Sequence, residues 1–549
     1  YCLCICLLFT KKICTFAKIE SNDEKYKDKT MKMTKTLLAL ALMATAMGMS
    51  SCCDDNMGTT SQPETVIDFE QMKESAVQEF LNYAKVPRPG YQLDKARAYL
   101  KAVADENGWK WERDEYGSCW IDVPATKGYE HFPNVILQGH MDMVCASAEG
   151  ETHDYYNEVG IPVREGDLLR GEHINLGVDN GIGVGMMMAI IKSDAGHGPI
   201  RCLFTADEDQ GMEGAESLAA TTINANYLIS LDGEGKAEVL KSSSGGGNIR
   251  ISNSFERAST VEGQKKITVI IKGLRGGHSG LDIGDHRLSA IVMGIKILST
   301  ISTAHGLALI GFDSGIADNA IANKATLEIA VNSTEVETVK SEIQTVVDDF
   351  AKEYPEENIV FEANISEITA EDYVCESSVT PKLVGLLNGL KYGPVEFSKT
   401  YPNHVATSCN ISPLLLKDGE FAVISLYRSD FMDWLDSQET YYSNLADEWG
   451  FDFKLLASYP AWFSETEYPM VTMLKKHFSE ALGFPVKDSM THGGLEPGYF
   501  LRLNPNLQIT CLGPQIDNAH SINETLHIED IKPLLVAVVK TIQNLDKVE

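Results

Sequence analysis

The chain has 549 residues, of which 44% are hydrophobic and 23% are charged. This balance is typical of a folded protein with several domains, and it excludes a disordered chain or a fibre. The 78 acidic residues outnumber the 47 basic ones and give a net charge of −31. Because phosphate backbones repel such a chain, we expect no nucleic-acid partner.

The first 64 residues contain signals of processing and export. Residues 1–30 begin with Tyr and hold four of the twelve cysteines, and we interpret them as upstream non-native translation. Residues 31–52 combine lysines, an apolar run and small residues before Cys52, which predicts a signal peptide with a lipobox-like end. Residues 53–64 form a polar linker. The sequence thus predicts an exported lipoprotein, periplasmic or on the cell surface and anchored through lipidated Cys52, with a cytoplasmic location if the leader does not function.

Four strand-like apolar runs in the remaining chain each lead to residues that can bind a metal ion. In chain order, these residues are His140, the acidic triplet 207–209, Asp232 and His520. Between the first two runs, residues 177–181 open a helix and carry Asp179. Buried strands that alternate with helices predict an α/β domain with a mainly parallel sheet. The carboxyl ends of such strands share one edge, so we expect these side chains to converge there.

Converging carboxylates resist ionising together, and two divalent cations remove that conflict. The chain has enough ligands for two ions. Asp179 would bridge them, His140 and Asp232 would complete one site, and Asp209 and His520 would complete the other. Imidazole combined with carboxylate favours Zn²⁺, with Co²⁺ or Mn²⁺ as alternatives.

Two further residues complete the predicted chemistry. Glu208 is left over beside the metals, free to act as general base on the water that bridges the ions and to pass the proton to a leaving amine. Asp142, two residues after His140, can orient that imidazole. Taken alone, Asp179 is better explained as a helix N-cap, and an exposed charged loop is the alternative for the acidic triplet, but the whole set favours the metal site.

Several motifs resemble, in the same order, the di-zinc metallopeptidases that include aminoacylases and carnosinases. They are His140-Met-Asp142, residues 177–181, residues 207–215 and residues 231–234. Residues 276–280, His492-Gly-Gly-Leu-Glu496 and the segment 513–521 are most similar to the bacterial aminoacyl-histidine dipeptidases, also called Xaa-His or cytosol non-specific dipeptidases. The resemblance runs from residue 65 to the end. It implies hydrolysis of short unblocked peptides, mainly dipeptides such as β-alanyl-histidine.

The resemblance also implies roles for residues outside the metal set. His278 would stabilise the tetrahedral intermediate, Asn319 and Arg428 would hold the substrate, with Arg428 on its carboxylate, and Gly494 would line the cleft. A turn residue at His278 and a structural ion pair at Arg428 are the alternatives. For Glu496, a substrate contact and a buried pair with its neighbour in the motif both stay open.

The site residues fall on either side of a large predicted insertion, an α+β lid. The catalytic domain occupies residues 65–245 and 461–549, and the lid occupies residues 246–460. Residues 242–247, Ser-Ser-Ser-Gly-Gly-Gly, predict a flexible hinge between them. The apolar patterns predict lid strands at 267–271 and 422–427, lid helices at 288–301 and 336–354, and a helix at 468–482 after the lid. The family resemblance adds a homodimer formed through the lid.

Motifs of other enzyme classes are missing from the sequence. The glycines at 181–185 do not form a nucleotide-binding GxGxxG, and the sequence has neither HExxH nor GxSxG. An aminoacylase or deacetylase acting on N-acyl amino acids is the alternative enzyme, and a non-catalytic metal-binding relative is the alternative outside enzymes. Two residues depart from the family pattern: Asp209 stands where Glu is usual, and Ile522 replaces a common Pro.

Overall fold

The computed structural model describes residues 67–259, 262–401, 403–464 and 467–548. The predicted leader, the lipidation site at Cys52 and the linker 53–64 lie outside the described residues. Within the described ranges, no helix combines the length and the apolar character needed to cross a membrane.

The part of the chain before the insertion alternates strands and helices, as its apolar runs predict. Its elements are α1 (Phe69–Tyr83), α2 (Asp94–Asn107), β1 (Lys110–Arg113), β2 (Cys119–Val123), β3 (Val135–His140), β4 (Ile161–Glu165), β5 (Leu168–Glu172), α3 (Val178–Ile191), β6 (Ile200–Thr205), α4 (Glu208–Gly211), α5 (Glu213–Glu216), β7 (Tyr227–Ser230) and β8 (Glu238–Ser243). Asp68 caps α1, because its carboxylate accepts hydrogen bonds from the N–H groups of Glu70 and Gln71 at 3.0 and 3.1 Å.

The insertion begins with a long strand and is mostly antiparallel sheet with four helices. Its elements are β9 (Gly245–Ser254), β10 (Gln264–Lys272), β11 (Gly277–His278), α6 (Ala290–Ala304), β12 (Leu307–Ser314), β13 (Ala320–Ile321), β14 (Ala325–Asn332), α7 (Val336–Glu353), β15 (Val360–Ser366), α8 (Val379–Gly389), β16 (Gly393–Phe397), β17 (Val405–Lys417), β18 (Glu420–Ser429), α9 (Met432–Trp449) and β19 (Asp452–Tyr459). The predicted lid helices and strands are all present, within two residues of their predicted bounds except at the carboxyl end of α6 and the amino end of β10, which differ by three residues.

The chain then returns to the first sheet. The last elements are α10 (Pro469–Leu482), β20 (Lys487–Thr491), α11 (Pro497–Leu503), β21 (Gln508–Cys511), β22 (Ile516–Asp517), β23 (Thr525–His527) and α12 (Ile531–Ile542). The strands β22, β23, β5 and β4 form a small separate sheet beside the main one.

The eight-stranded sheet has the order β1-β2-β6-β3-β7-β21-β8-β20. Its central strands β6, β3, β7 and β21 pair in parallel, which confirms the predicted α/β class. Side chains alternate between the two faces of β3: Val135 and Leu137 enter one hydrophobic core, and Ile136 enters the other. Burial on both faces explains why these strands read as continuous apolar runs.

The lid sheet runs β15-β10-β14-β12-β17-β18-β9-β19, with β16 added to β17, and its pairings are antiparallel. Helices α6, α7, α8 and α9 share a hydrophobic core with one face of this sheet. All its strands lie between residues 245 and 459, and those of the eight-stranded sheet lie outside that range. The predicted domain bounds agree with this division but stay a prediction.

The predicted flexible hinge at residues 242–247 is wrong. Strand β8 ends at Ser243 and β9 begins at Gly245, and all six residues are buried. The glycines here allow close packing. The Tyr459 ring occupies the position that a side chain at Gly246 would take, and the Tyr427 ring does the same at Gly247. Composition indicated flexibility, but the tertiary contacts make this junction a packed part of both sheets.

Candidate metal centre

The candidate site lies where three parallel strands end. Strand β3 ends at His140, whose partner in the register is Thr205, the last residue of β6. The acidic triplet 207–209 follows β6, and Asp232 comes two residues after the end of β7. The shared direction of the strands therefore carries these groups to one edge, as the sequence predicts.

One group of ligating atoms surrounds His140. Its Nε2 lies 3.1 Å from Asp179 Oδ1 and 3.4 Å from Asp232 Oδ1. One ligating atom from each of the three side chains lies within 4.8 Å of the other two, so the three could bind one metal ion.

A second group surrounds His520, which the loop after β22 supplies. Its Nε2 lies 3.0 Å from Asp179 Oδ2 and 3.0 Å from Asp209 Oδ1. Each oxygen of Asp179 thus faces a different imidazole, which is the arrangement that a bridging carboxylate requires. The structure brings together all five residues that the sequence predicts as metal ligands.

Orphaned polar atoms indicate that the site suits cations. Oδ2 of Asp209 and Oδ1 of Asp232 are buried and have no hydrogen-bond partner among the described residues. Buried carboxylate oxygens need a compensating charge, and the nitrogen and oxygen donors here match the preferences of Zn²⁺, Co²⁺ and Mn²⁺. The residues therefore fit two divalent ions.

The ionisation of these groups reflects the crowding of charge. Hydrogen bonds with Asp179 and Asp209 raise the pKa of His520 to about 11. Burial raises the pKa of Asp232 well above its ordinary value. Burial also opposes ionisation of Asp179, but the two imidazoles outweigh it and hold its pKa low. Protons on the histidines thus balance the carboxylates, and cations can replace them.

Asp142 contacts both His140 and the acidic turn. It is fully buried, and its Oδ1 lies 3.4 Å from His140 Nδ1, on the ring side away from Asp179. It also accepts the backbone N–H groups of Glu208 and Asp209, each at 3.1 Å. Two successive N–H groups in a turn form an anion-binding concavity, so one carboxylate fixes the histidine and the acidic turn together.

Glu208 lies next to the ligands. One of its carboxylate oxygens lies within 4.8 Å of a ligating atom of His140 and of one of Asp209. Burial raises the pKa of Glu208 well above its usual range, and the carboxylates of Glu496 and Asp209 add to this effect. A raised pKa is what a carboxyl group that accepts and returns a proton requires.

Two residues that support the centre, Arg88 and Glu524, carry no signal in the sequence. The Arg88 guanidinium, buried against Tyr83, donates to the carbonyl oxygens of Leu176 and Gly177 and so holds the turn before Asp179. Glu524 accepts the N–H of Asp179 at 3.3 Å. Each of these hydrogen bonds joins residues at least 88 positions apart, so no local pattern could have indicated it.

Glu496 does not form the predicted buried pair with His492, whereas a substrate contact stays a prediction. Its Oε2 accepts hydrogen bonds from Gln138 Nε2 at 2.6 Å and Thr205 Oγ1 at 2.7 Å. Burial raises its pKa to about 8. Glu496 therefore ties α11 to the two strands that carry His140 and the acidic triplet, and it does not pair with His492.

The predicted substrate-binding residues of the lid lie close to one another. His278 pairs with Ala320 across the two-stranded sheet, and the N–H of Ser279 donates to the Asn319 carbonyl oxygen at 2.7 Å. Arg428 Nη1 donates to Ser279 Oγ at 2.8 Å. None of the described contacts joins these residues to the metal ligands, and their roles stay predictions.

Arg428 is only 6% exposed, yet its Nε has no hydrogen-bond partner among the described residues. The adjacent His278 is exposed, and its pKa is lowered by partial burial and by the Arg428 guanidinium. Gly494 packs against the Tyr459 ring, which occupies the position of a side chain there.

Comparison with known proteins identifies relatives of most of the chain. Residues 136–544 match Peptidase family M20/M25/M40. The cytosol non-specific dipeptidase of Escherichia coli is 27% identical over 457 residues, which cover 82% of this chain and 93% of that protein. The crystal structure of the aminoacylhistidine dipeptidase from Vibrio alginolyticus superposes with a TM-score of 0.78 at 25% identity, covering 88% of this chain and 99% of that one.

The relatives correct the predicted location. The Escherichia coli relative, matched over nearly its whole length, is a cytosol enzyme. The expectation of an exported, membrane-anchored lipoprotein is therefore wrong. It rested on a short apolar run with small residues before Cys52, a pattern too weak to outweigh the likeness of the body of the chain.

Proposed function

Since this chain belongs to peptidase family M20/M25/M40, we propose that it is a metal-dependent dipeptidase that hydrolyses short, unblocked peptides. The observation that carries the proposal is the position of Asp179 between His140 and His520, with Asp232 and Asp209 beside them. The names of the relatives from Escherichia coli and Vibrio alginolyticus support dipeptides, with Xaa-His types favoured.

The two ions would share Asp179. His140 and Asp232 would complete one site, and Asp209 and His520 the other. We propose zinc for both because each site combines one imidazole with carboxylates. When bound, such ions acidify a water and polarise the peptide carbonyl.

Glu208 is the proposed general base. It accepts a proton from the water as the water oxygen attacks the peptide carbon, and it returns that proton to the nitrogen as the C–N bond breaks. The products are a carboxylate and a free amine. Burial raises the pKa of Glu208, which suits both proton transfers. Asp142 positions Glu208 by accepting its backbone N–H.

Arg428 is the proposed clamp for the substrate carboxylate. Its Nη1 donates to Ser279, and its buried Nε has no hydrogen-bond partner in the part of the chain that the structure describes. A carboxylate bound there would satisfy it in the bidentate geometry that guanidinium groups favour. His278 is proposed to stabilise the oxyanion, Asn319 to hold the substrate and Gly494 to line the cleft, in closed states of the lid.

The test is hydrolysis of a peptide panel by the purified protein, first stripped of metal and then loaded with zinc. The panel contains β-Ala-His, Gly-His, Ala-Ala, an N-acetyl amino acid and a tripeptide. We expect zinc-dependent cleavage of the dipeptides and none of the acetylated compound. Cleavage of the acetylated compound alone would identify an aminoacylase instead, and two bound ions without any cleavage would favour a non-catalytic relative.

A further inference from the structure

The segment His492-Gly-Gly-Leu-Glu496 joins β20 to α11, and both its polar ends are buried. His492 is 6% exposed and Glu496 is fully buried. Glu496 is bonded to strands β3 and β6 of the catalytic sheet, whereas the partners of His492 lie at the lid sheet and at the junction between the two sheets. The segment therefore joins the metal-bearing strands to the sheet that carries Arg428.

A chain of hydrogen bonds fixes the His492 ring. Asp430 is bonded to His404 Nε2 at 2.8 Å through Oδ2 and to Ser244 Oγ at 2.7 Å through Oδ1. Because a carboxylate only accepts, the Ser244 hydroxyl donates to it and accepts in turn from His492 Nδ1, 2.8 Å away. The other nitrogen, Nε2, lies 2.7 Å from Ser408 Oγ and accepts that hydroxyl when the ring is neutral. These partners therefore select one tautomer of the neutral ring, with its proton on Nδ1.

This ring lies beside Arg428. Ser408 is the direct cross-strand partner of Arg428, and directly paired residues project from the same face of a sheet. On its other side Arg428 pairs with Gly246, which pairs with Tyr459. Gly494 packs on that same tyrosine. The turn at 492–494 thus covers the row of side chains in which the guanidinium lies.

We propose that His492 is a positioning residue that holds the Arg428 guanidinium, through Ser408, at the place where it receives the substrate carboxylate; this rests on the proposed function of the site. An uncharged ring is required there, because an imidazolium would repel the guanidinium. Burial first, and then the charges of Arg428 and His404, lower the pKa of His492 to about 3, in agreement with a neutral ring.

Three substitutions separate positioning from simple packing. His492→Gln places an amide oxygen where Nε2 accepts Ser408, His492→Asn replaces only the contact with Ser244, and His492→Ala removes both. His131→Ala, an exposed histidine of the catalytic part, is the matched control. The metal-loaded full chain is assayed with a free dipeptide and with its C-terminal amide, and His492→Ala is combined with Arg428→Ala.

We expect KM for the free dipeptide to rise about tenfold in the Ala and Asn variants and less than about threefold in the Gln variant, with kcat unchanged. The amide should show no difference between variants, and His492→Ala should add nothing to Arg428→Ala. Equal losses on both substrates, a fall in kcat, or additive effects would overturn the proposal.

A second readout does not depend on activity. Crystal structures of His492→Ala and His492→Gln should show the 2.8 Å contact between Arg428 and Ser279 lost in the first and kept in the second. An unmoved guanidinium in His492→Ala would refute positioning. Failure of the proposed function would appear differently, as a wild-type protein that cleaves no dipeptide, and the crystallographic comparison would still decide the role of His492.

Discussion

The backbone N–H of Glu208 donates to Asp142 Oδ1 at 3.1 Å. The proposed general base is thus positioned by the carboxylate that also lies against His140 Nδ1. Because the second oxygen of Asp142 accepts the next N–H, that of Asp209, a proposed metal ligand and the base are held by one buried group. A change at Asp142 should therefore affect metal affinity and turnover together.

Asp142→Asn tests this coupling. Its amide NH₂ would face a backbone N–H, so one of the two hydrogen bonds to the acidic turn is lost. We expect metal affinity to fall about 10- to 100-fold, and kcat to fall in the metal-saturated variant as well. Chelator competition and steady-state kinetics measure the two effects. Asp154→Asn, in an exposed turn, is the control; if metal saturation restored full kcat, Asp142 would not position Glu208.

Glu208→Gln should separate metal binding from catalysis. The amide cannot accept the proton, and none of the five proposed ligands changes. We expect two ions per chain to remain and kcat to fall by about 10²- to 10⁴-fold. Metal content and single-turnover rates check this, with the exposed Glu216→Gln as control. Full turnover in Glu208→Gln would remove this residue from the mechanism.

Arg428→Ala should act mainly on KM for peptides with a free carboxyl terminus. Loss of a charge-assisted bidentate contact predicts an increase of about 10- to 100-fold. Arg428→Lys should not restore KM, because a lysine cannot form the two parallel hydrogen bonds. Arg250→Ala, an exposed position on the neighbouring strand β9, is the control. An unchanged KM in Arg428→Ala would exclude the carboxylate clamp.

The grouping of the five proposed ligands could be predicted from sequence because each of them follows a recognisable local pattern. His140 and Asp232 follow continuous apolar runs, and the direction of parallel strands brings their ends together. Asp179 opens a helix whose residues are almost all buried. These are consequences of secondary structure, and they need no knowledge of distant contacts.

The supports of the site could not be predicted in this way. Glu524 reaches Asp179 across 345 positions, and Glu496 reaches Gln138 across 358. A buried polar side chain must find a partner, but its identity depends on tertiary packing. Residues 242–247 show the same dependence on tertiary packing. Their serine and glycine composition indicates flexibility, but all six residues are buried at the junction of two sheets.

His492 provides a test that needs no substrate. Its ordinary pKa is 6.5 and its pKa in the folded protein is about 3, so between these values the unfolded chain binds a proton that the folded chain does not. Stability is therefore unaffected above pH 6.5 and falls as the pH drops below it. The groups that face the ring are Arg428, His404 and, through Ser244, the Asp430 carboxylate. Arg428 and His404 both lower the pKa of His492.

His492→Gln removes this titration and leaves the other acid-sensitive groups in place. Relative to its value at pH 7, the wild type should lose about 2 kcal/mol more than the variant at pH 5, since each pH unit in this range contributes about 1.4 kcal/mol. Urea unfolding of both proteins from pH 7 to pH 4 measures the difference, and His131→Gln should follow the wild type. If the unfolding free energies of wild type and His492→Gln changed in parallel with pH, the buried ring would accept a proton in the folded state. The neutral His492 ring between Ser244 and Ser408 would then be wrong.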